Sequence, residues 1–531
     1  MRLSGIDLVV VVAYAIGIFG LAQWVSRDKA GHEKNTSDYF LASKSLPWWA
    51  IGASLIAANI SAEQIVGMAG SGYAIGLAIA SYEWMAAATL LIVGKYFLPI
   101  FLRNEIYTMP QFLEQRYGPN IRTLMAVFWL ALYVFVNLTS IIWLGSIAVN
   151  QVAGVPQTYA LIGLGLFALL YQLRGGLKAV ALTDIVQVTL LVLGGLIVSG
   201  LTLNELGGGQ GVLAGFRTLT QRVPDHFQMI LKPDSKFYKD LPGLSVLIGG
   251  MWIANLSYWG FNQYIIQRAL AARNLGEAQK GVMFAAYLKL LMPVIIVLPG
   301  IAAVLLAPDL ARPDQAYPTM MRYLPSGLLG LVFSALVAAI IASTASKINS
   351  IATIFTLDLY AKARQLPTRT EEGAAAPGQE AHLVLVGRVA AAAAILIAII
   401  AARPLIGQSD QAFQFIQEFS GFFTPGITVI FLLGLFWKRA SEAGAIAAAI
   451  ASVVLSYLFR AVTPGIPFMN RMLLVFFISL ALAVGASLLR PAGAEANRIR
   501  TDDVPFGTPN SFNIGGIGVI LILIALYATW W

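Results

Sequence analysis

The chain of 531 residues is 58% hydrophobic and only 11% charged, which places all of it, and not one anchor alone, among integral membrane proteins. It has no Cys, which excludes disulfides and thiolate metal sites, and its three His (His32, His226 and His382) fall in expected loops or at a helix end, which argues against a histidine relay or a zinc centre. The formal charge of +9 comes without a basic cluster or aromatic platform for nucleic acid, and no glycine-rich phosphate loop supports transport driven directly by ATP, so enzyme chemistry has little equipment.

A spanning helix needs roughly 20 mostly apolar residues, and about fourteen segments of that kind follow one another. They lie near 6–26, 48–72, 76–102, 121–149, 156–173, 177–204 and 244–267, then 278–307, 325–360, 382–402, 408–437, 441–460, 469–489 and 512–531. Two-residue alternation is absent, so an all-α polytopic protein is expected and a barrel is not. The first segment lacks a small-residue cleavage site and reads as a retained helix. With the amino terminus outside, about 21 of the 35 Lys and Arg fall in inner loops and about 11 outside, the usual bias. The exception is the 205–243 loop, whose five basic residues would lie outside. The 361–381 stretch reads as a flexible cytoplasmic linker.

Three lysines, Lys95, Lys289 and Lys347, fall within or near the ends of spans, where ionisable groups usually face a cavity or a partner. Polar residues interrupt two spans. "SLIAANISAEQIVGMAGSG" (54–72) carries Asn59, Ser61, Glu63 and Gln64 at mid-depth, and "IANLSYWGFNQ" (253–263) has the same character. Ala58-Asn59-Ile60-Ser61 recurs as Ala254-Asn255-Leu256-Ser257. Such interruptions survive in a bilayer only where they line a cavity. Each interrupted span opens a block of five, over about 48–204 and 244–437, and a matched pair points to an inverted-repeat transporter with its site at the midplane.

The stretches "DYFLASKSLPWWAIGASLIAANISAEQ", "GSGYAIGLAIASYEWMAA", "VFVNLTS", "NLSYWGFNQYIIQRALAA", "NSIATIFTLDLY" and "GLFWKRASEAGAIA" resemble the sodium/solute symporter family, on its sugar-carrying side, over nearly the whole chain. The resemblance implies a leucine-transporter-like 5+5 inverted-repeat core in a bacterial inner membrane. It divides the chain into an added helix and inner loop (1–47), a first repeat (48–204), an outer loop (205–243), a second repeat (244–437) and three added helices (438–531). Sodium and a monosaccharide would be the partners, with membrane lipid around the bundle.

Residue by residue, the resemblance implies sugar contacts at Gln64, Tyr82, Glu83, Asn137, Asn255, Lys289 and Gln417, outer gates at Met68, Tyr82 and Phe413, and an inner gate at Tyr258. Amides, a carboxylate and an ammonium form a chemically apt set for hydroxyls, although such groups also serve as glue between membrane helices. Spacing adds that Gln64 and Met68, Tyr133 and Asn137, Phe413 and Gln417, and Asn255 and Tyr258 share faces if the local backbone is helical. Ala86 stands where the family's sugar carriers have Ser, which puts one sugar contact in doubt. No Arg lies centrally in the core spans to fork a carboxylate, which favours a neutral solute.

For sodium, the resemblance implies carbonyls of Ala57, Ile60 and Ala339 and the hydroxyl of Ser343, with Ala342 in place of a second hydroxyl and Thr344 or water as a fifth ligand. Asp184 would lie near the ion's inward path. Glu63 is expected to pair with Lys347 or Lys95 in a structural role.

Overall fold

The computed structural model describes residues 3–25, 46–106, 108–172, 177–366, 377–491, 499, 501 and 504–531, without the side chains of 19, 22–25, 172, 177–184 and 377–381. His32, Tyr107 and most of the 361–381 linker lie outside this description. The described residues are helical, with one isolated bridge between Leu46 and Ala272 in place of any sheet.

Nine described helices are long and apolar enough to cross a membrane, and eleven spans result if two bent pairs are each counted as one. The other expected spans are helical over shorter or divided stretches: Gly5–Val25, Gln157–Gln172, and Gly250–Phe261 followed by Gln263–Leu270. Many apolar side chains of the outer helices are exposed, as lipid contact requires.

The first bent pair is Trp48–Asn59 with Glu63–Ala74, turned by 65° across Ile60–Ala62. Ile60 closes the first half in an extended conformation (φ −68°, ψ 112°), and the second half begins as a π-helix over Glu63–Met68. A second bend, 47°, separates Ala412–Ser420 from Thr424–Phe436. Helix Leu275–Leu306 runs along both halves of the first pair. A Cβ on Gly300 would come 2.1 Å from the Ala69 carbonyl, and one on Gly72 2.9 Å from that of Val297, so small residues permit the backbone contact.

The interruption expected within 253–263 lies at its far end. Asn255 donates to the Met251 carbonyl 3.1 Å away, so its amide is satisfied on its own helix and Gly250–Phe261 runs straight through Asn255-Leu256-Ser257. The chain turns at Asn262 instead, with φ −82° and ψ 120°. Like Ile60, it is an extended residue between two helical pieces.

The connection after Leu306 is driven into the bundle. Asp314 is fully buried, accepts the Ala412 N–H at 3.3 Å, and packs so tightly on the Glu63–Ala74 half of the first bent pair that a Cβ on Gly70 would meet its backbone at 2.8 Å. Burial pushes its carboxyl up to about 7, against the lowering effect of Arg312 and the Ala412 N–H, with Asp410 adding to the rise. The folded state therefore holds this proton more tightly than the unfolded chain, whose Asp titrates near 3.8. Stability from this group is present at acid pH and lost as pH rises through about 7. Melting temperatures in detergent between about pH 5 and 8 should show Asp314→Asn gaining on the parent by a few degrees as pH rises. Parallel curves would refute this.

Candidate functional site

One cavity lies where the two bent pairs and helices Ser81–Ile92, Gly250–Phe261 and Leu275–Leu306 meet. Open solvent at its mouth included, it spans about 1000 Å³ of non-atom space. Gln64, Tyr82, Glu83, Asn137, Asn255, Lys289 and Gln417 all line it, as do Met68, Phe413 and Tyr258 and the departing residue Ala86. Seven polar positions spread over more than 350 residues of sequence are thus brought into one chamber.

The centre of the chamber is charged but balanced. Lys289, only 1% exposed, donates to Glu83 Oε2 at 2.5 Å and to Asn59 Oδ1, and its Nζ lies 5.0 Å from the Trp259 ring centre. Asn59 passes the network on by donating to the Tyr258 hydroxyl at 3.0 Å, which is 2.9 Å from the Tyr264 hydroxyl. Asn59 was absent from the expected contacts, although it sits in the stretch that marks the first break. Gln64 Oε1 accepts from Ser61 at 3.2 Å. Asn137 and Gln417 hold no side-chain hydrogen bond among the described residues, and neither does the buried Tyr82 hydroxyl. Tyr82 meets Phe413 edge to face at 5.1 Å, closing two of the expected outer-gate residues against one another.

Two expected pairings differ. Tyr133 and Asn137 sit in a π-helix, Leu132–Leu138, whose hydrogen bonds run to the fifth residue. The wider turn brings Leu132 and Asn137 to the cavity wall and turns Tyr133 away, to donate to Asn262 Oδ1 at 3.1 Å. Glu63 makes no ion pair with Lys347 or Lys95. Its Oε1 lies 2.7 Å from the Ser140 hydroxyl, whose single proton is shared with the Val136 carbonyl at 2.6 Å. Trp129, Trp259 and Asn262 also line the chamber and were not anticipated.

A second, smaller cavity lies between helices Trp48–Asn59 and Leu328–Thr353. Ala57, Ala339 and Ser343 line it, together with Ala342, Ser346, Lys347, Tyr264, Arg268 and Gln187. Neither Ile60 nor Thr344 is in its wall, and the Thr344 hydroxyl donates to the Ile340 carbonyl at 2.6 Å. Ser346 offers a hydroxyl there instead. Small residues and carbonyls suit a hard cation that wants oxygen. The side chain of Asp184 lies outside the described residues.

The profile of the sodium:solute symporter family matches residues 39–452. A sodium/glucose cotransporter of Vibrio parahaemolyticus is 48% identical, over 100% of this chain and 99% of the relative. The mouse sodium/myo-inositol cotransporter 2 is 33% identical over 85% of this chain and 69% of its own length. Among solved structures, a Na+-coupled sialic acid symporter in a substrate-bound outward-open state superposes with a TM-score of 0.75, at 21% identity, over 92% of this chain and 99% of that one. A nucleobase-cation-symport-1 family transporter gives a TM-score of 0.50 at 12% identity, covering 91% and 99%.

Proposed function

The chain belongs to the sodium:solute symporter family, and from that premise we propose that it carries a monosaccharide, glucose or a close relative, into the cell with sodium by alternating access across a bacterial inner membrane. The observation that carries the reading is the balanced chamber: Lys289 against Glu83 and Asn59, ringed by amides and by Tyr82, Trp259 and Phe413. A neutral polyol can insert its hydroxyls between ammonium, carboxylate and amides and lay its C–H faces on the rings. A carboxylate solute would find no Arg in the lining.

Gln64, Glu83, Asn137, Asn255, Lys289, Gln417 and the Tyr82 hydroxyl would hold the sugar, with Met68 and Phe413 closing the outer side and Tyr258 the inner. Tyr82 meets Phe413 edge to face and Met68 lines the same chamber, while Tyr258, hydrogen-bonded to Asn59, would guard the other exit. Sodium would sit near Ala57, Ile60, Ala339 and Ser343, joining the inner half of the first bent pair to helix Leu328–Thr353. An ion that stabilises one arrangement of these two elements links its own gradient to the solute, because differential affinity is what couples two ligands. Asp184 would mark the inward exit. The fourteen spans would comprise a 5+5 core over 48–204 and 244–437, one helix before it and three after, with the amino terminus outside; the surplus of inner Lys and Arg supports that orientation.

The test is uptake of labelled glucose, galactose and myo-inositol into proteoliposomes under an inward sodium gradient. Accumulation that requires sodium is expected; uptake driven by a pH gradient in its absence would overturn the coupling ion. Ser343→Ala should raise the sodium concentration for half-maximal uptake about tenfold, on the scale of one lost ligand.

A further inference from the structure

Lys347 has no part in the scheme above. It lies one helical turn beyond Ser343 on helix Leu328–Thr353 and lines the same small cavity. Side chains four apart on a helix lie about 5–6 Å from one another at Cβ. Lys347 is 3% exposed, and among the described residues its ammonium makes no hydrogen bond or ion pair; it sits 4.9 Å from the Tyr264 ring centre. The acid that acts on it, Glu63, does so only through space, its Oε1 being held by Ser140. Arg268 brings a second positive group to the same wall, and no Asp or Glu lines the cavity among the described residues. A cation buried in a spanning helix without a close counter-charge is expensive, and this one adjoins the position proposed for a mobile cation.

The structure assigns Lys347 the role of a resident positive charge that sets sodium affinity: its ammonium repels the bound ion, keeping binding weak and promoting release toward the interior. The inference rests on the sodium position proposed above. With an effective dielectric constant of about 20, unit charges about 10 Å apart, the reach of an extended lysine from a neighbouring site, repel by about one power of ten in affinity. Tyr264, whose ring faces the ammonium, holds it in place and also touches Tyr258 of the sugar chamber, so the charge is set where the two cavities meet.

The test measures sodium dependence of labelled glucose uptake at fixed sugar, with the full chain in proteoliposomes. Lys347→Met keeps the length and removes the charge, and should lower half-saturating sodium about tenfold or more. Lys347→Arg should stay near the parent. A merely structural role predicts the opposite sign, since a damaged site binds sodium less well. Lys347→Gln, read by sodium-dependent thermal stabilisation of the purified protein against choline, measures the same affinity without transport. Half-saturation unchanged or raised in both neutral variants overturns the assignment. Failure of both to fold overturns it too, because removing a buried charge that holds no hydrogen bond or ion pair among the described residues should stabilise the chain. Ser343→Ala in the same series separates the two proposals. If it leaves sodium dependence untouched, the ion position fails; if it weakens sodium while Lys347→Met changes nothing, only the role of Lys347 fails.

Discussion

Lys289→Met is expected to reduce sodium-driven sugar uptake at least a hundredfold and to destabilise the protein at the same time. The ammonium it removes is the hub between Glu83 and Asn59, almost without exposure. Taking away one member of a buried pair leaves the other uncompensated, a loss of about 3–5 kcal/mol. A sugar hydroxyl would lose its strongest donor as well, and hydrogen bonds to charged groups contribute about 1.5–3 kcal/mol each. Glu83→Gln combined with Lys289→Met should recover most of the melting temperature, because no unpaired charge remains, yet stay inactive. Thermal unfolding in detergent beside initial uptake rates separates the two effects. Normal uptake by a folded Lys289→Met would remove this pair from the sugar site.

Arg116→Ala is expected to be the most damaging substitution outside the chamber. Arg116 is 1% exposed and spends its guanidinium on the carbonyls of Gly434 at 2.8 Å, Trp437 at 2.8 Å and Ala440 at 3.0 Å, at and just beyond the C-terminal end of helix Thr424–Phe436. These carbonyls lie at a helix C-terminus, where a cation is favoured and no intrahelical partner exists. Their loss, with the space left by the side chain, should cost about 3 kcal/mol or more. Arg116→Lys should recover little, since a point charge cannot span three acceptors as a planar fork does. Melting temperature and membrane abundance measure this; a variant as stable as the parent would show that the carbonyls find other donors.

What could be read from the chain alone divides along physical lines. Apolar runs long enough to span mark the helices, because lipid leaves the backbone few choices. The first break was legible because Asn59, Ser61 and Glu63 fall together at mid-depth, where only a cavity accommodates them. The second falls at the far end of the quoted stretch 253–263, because an Asn can be absorbed by its own helix: Asn255 does this through the Met251 carbonyl, while the backbone turns at Asn262. The bend after Ser420 had a signal in Gly421 and Thr424-Pro425, hidden inside a run otherwise long enough to be one span. The π-turns at Glu63–Met68 and Leu132–Leu138 leave no pattern in residue type, so the face presented by Tyr133 could not be foreseen. Glu63 shows why buried acids mislead: its Oε1 lies 2.7 Å from the Ser140 hydroxyl, and it acts on Lys347 only through space.

The contact between Lys289 and Glu83 also bears on the return stroke. A carrier resets without cargo, and any unmatched charge it drags through the field of an energised bilayer slows that leg. Here ammonium and carboxylate travel as a dipole of short arm, so voltage has little purchase on the vacant chamber. Electrogenicity is then left to the inorganic ion and to whatever lines its path.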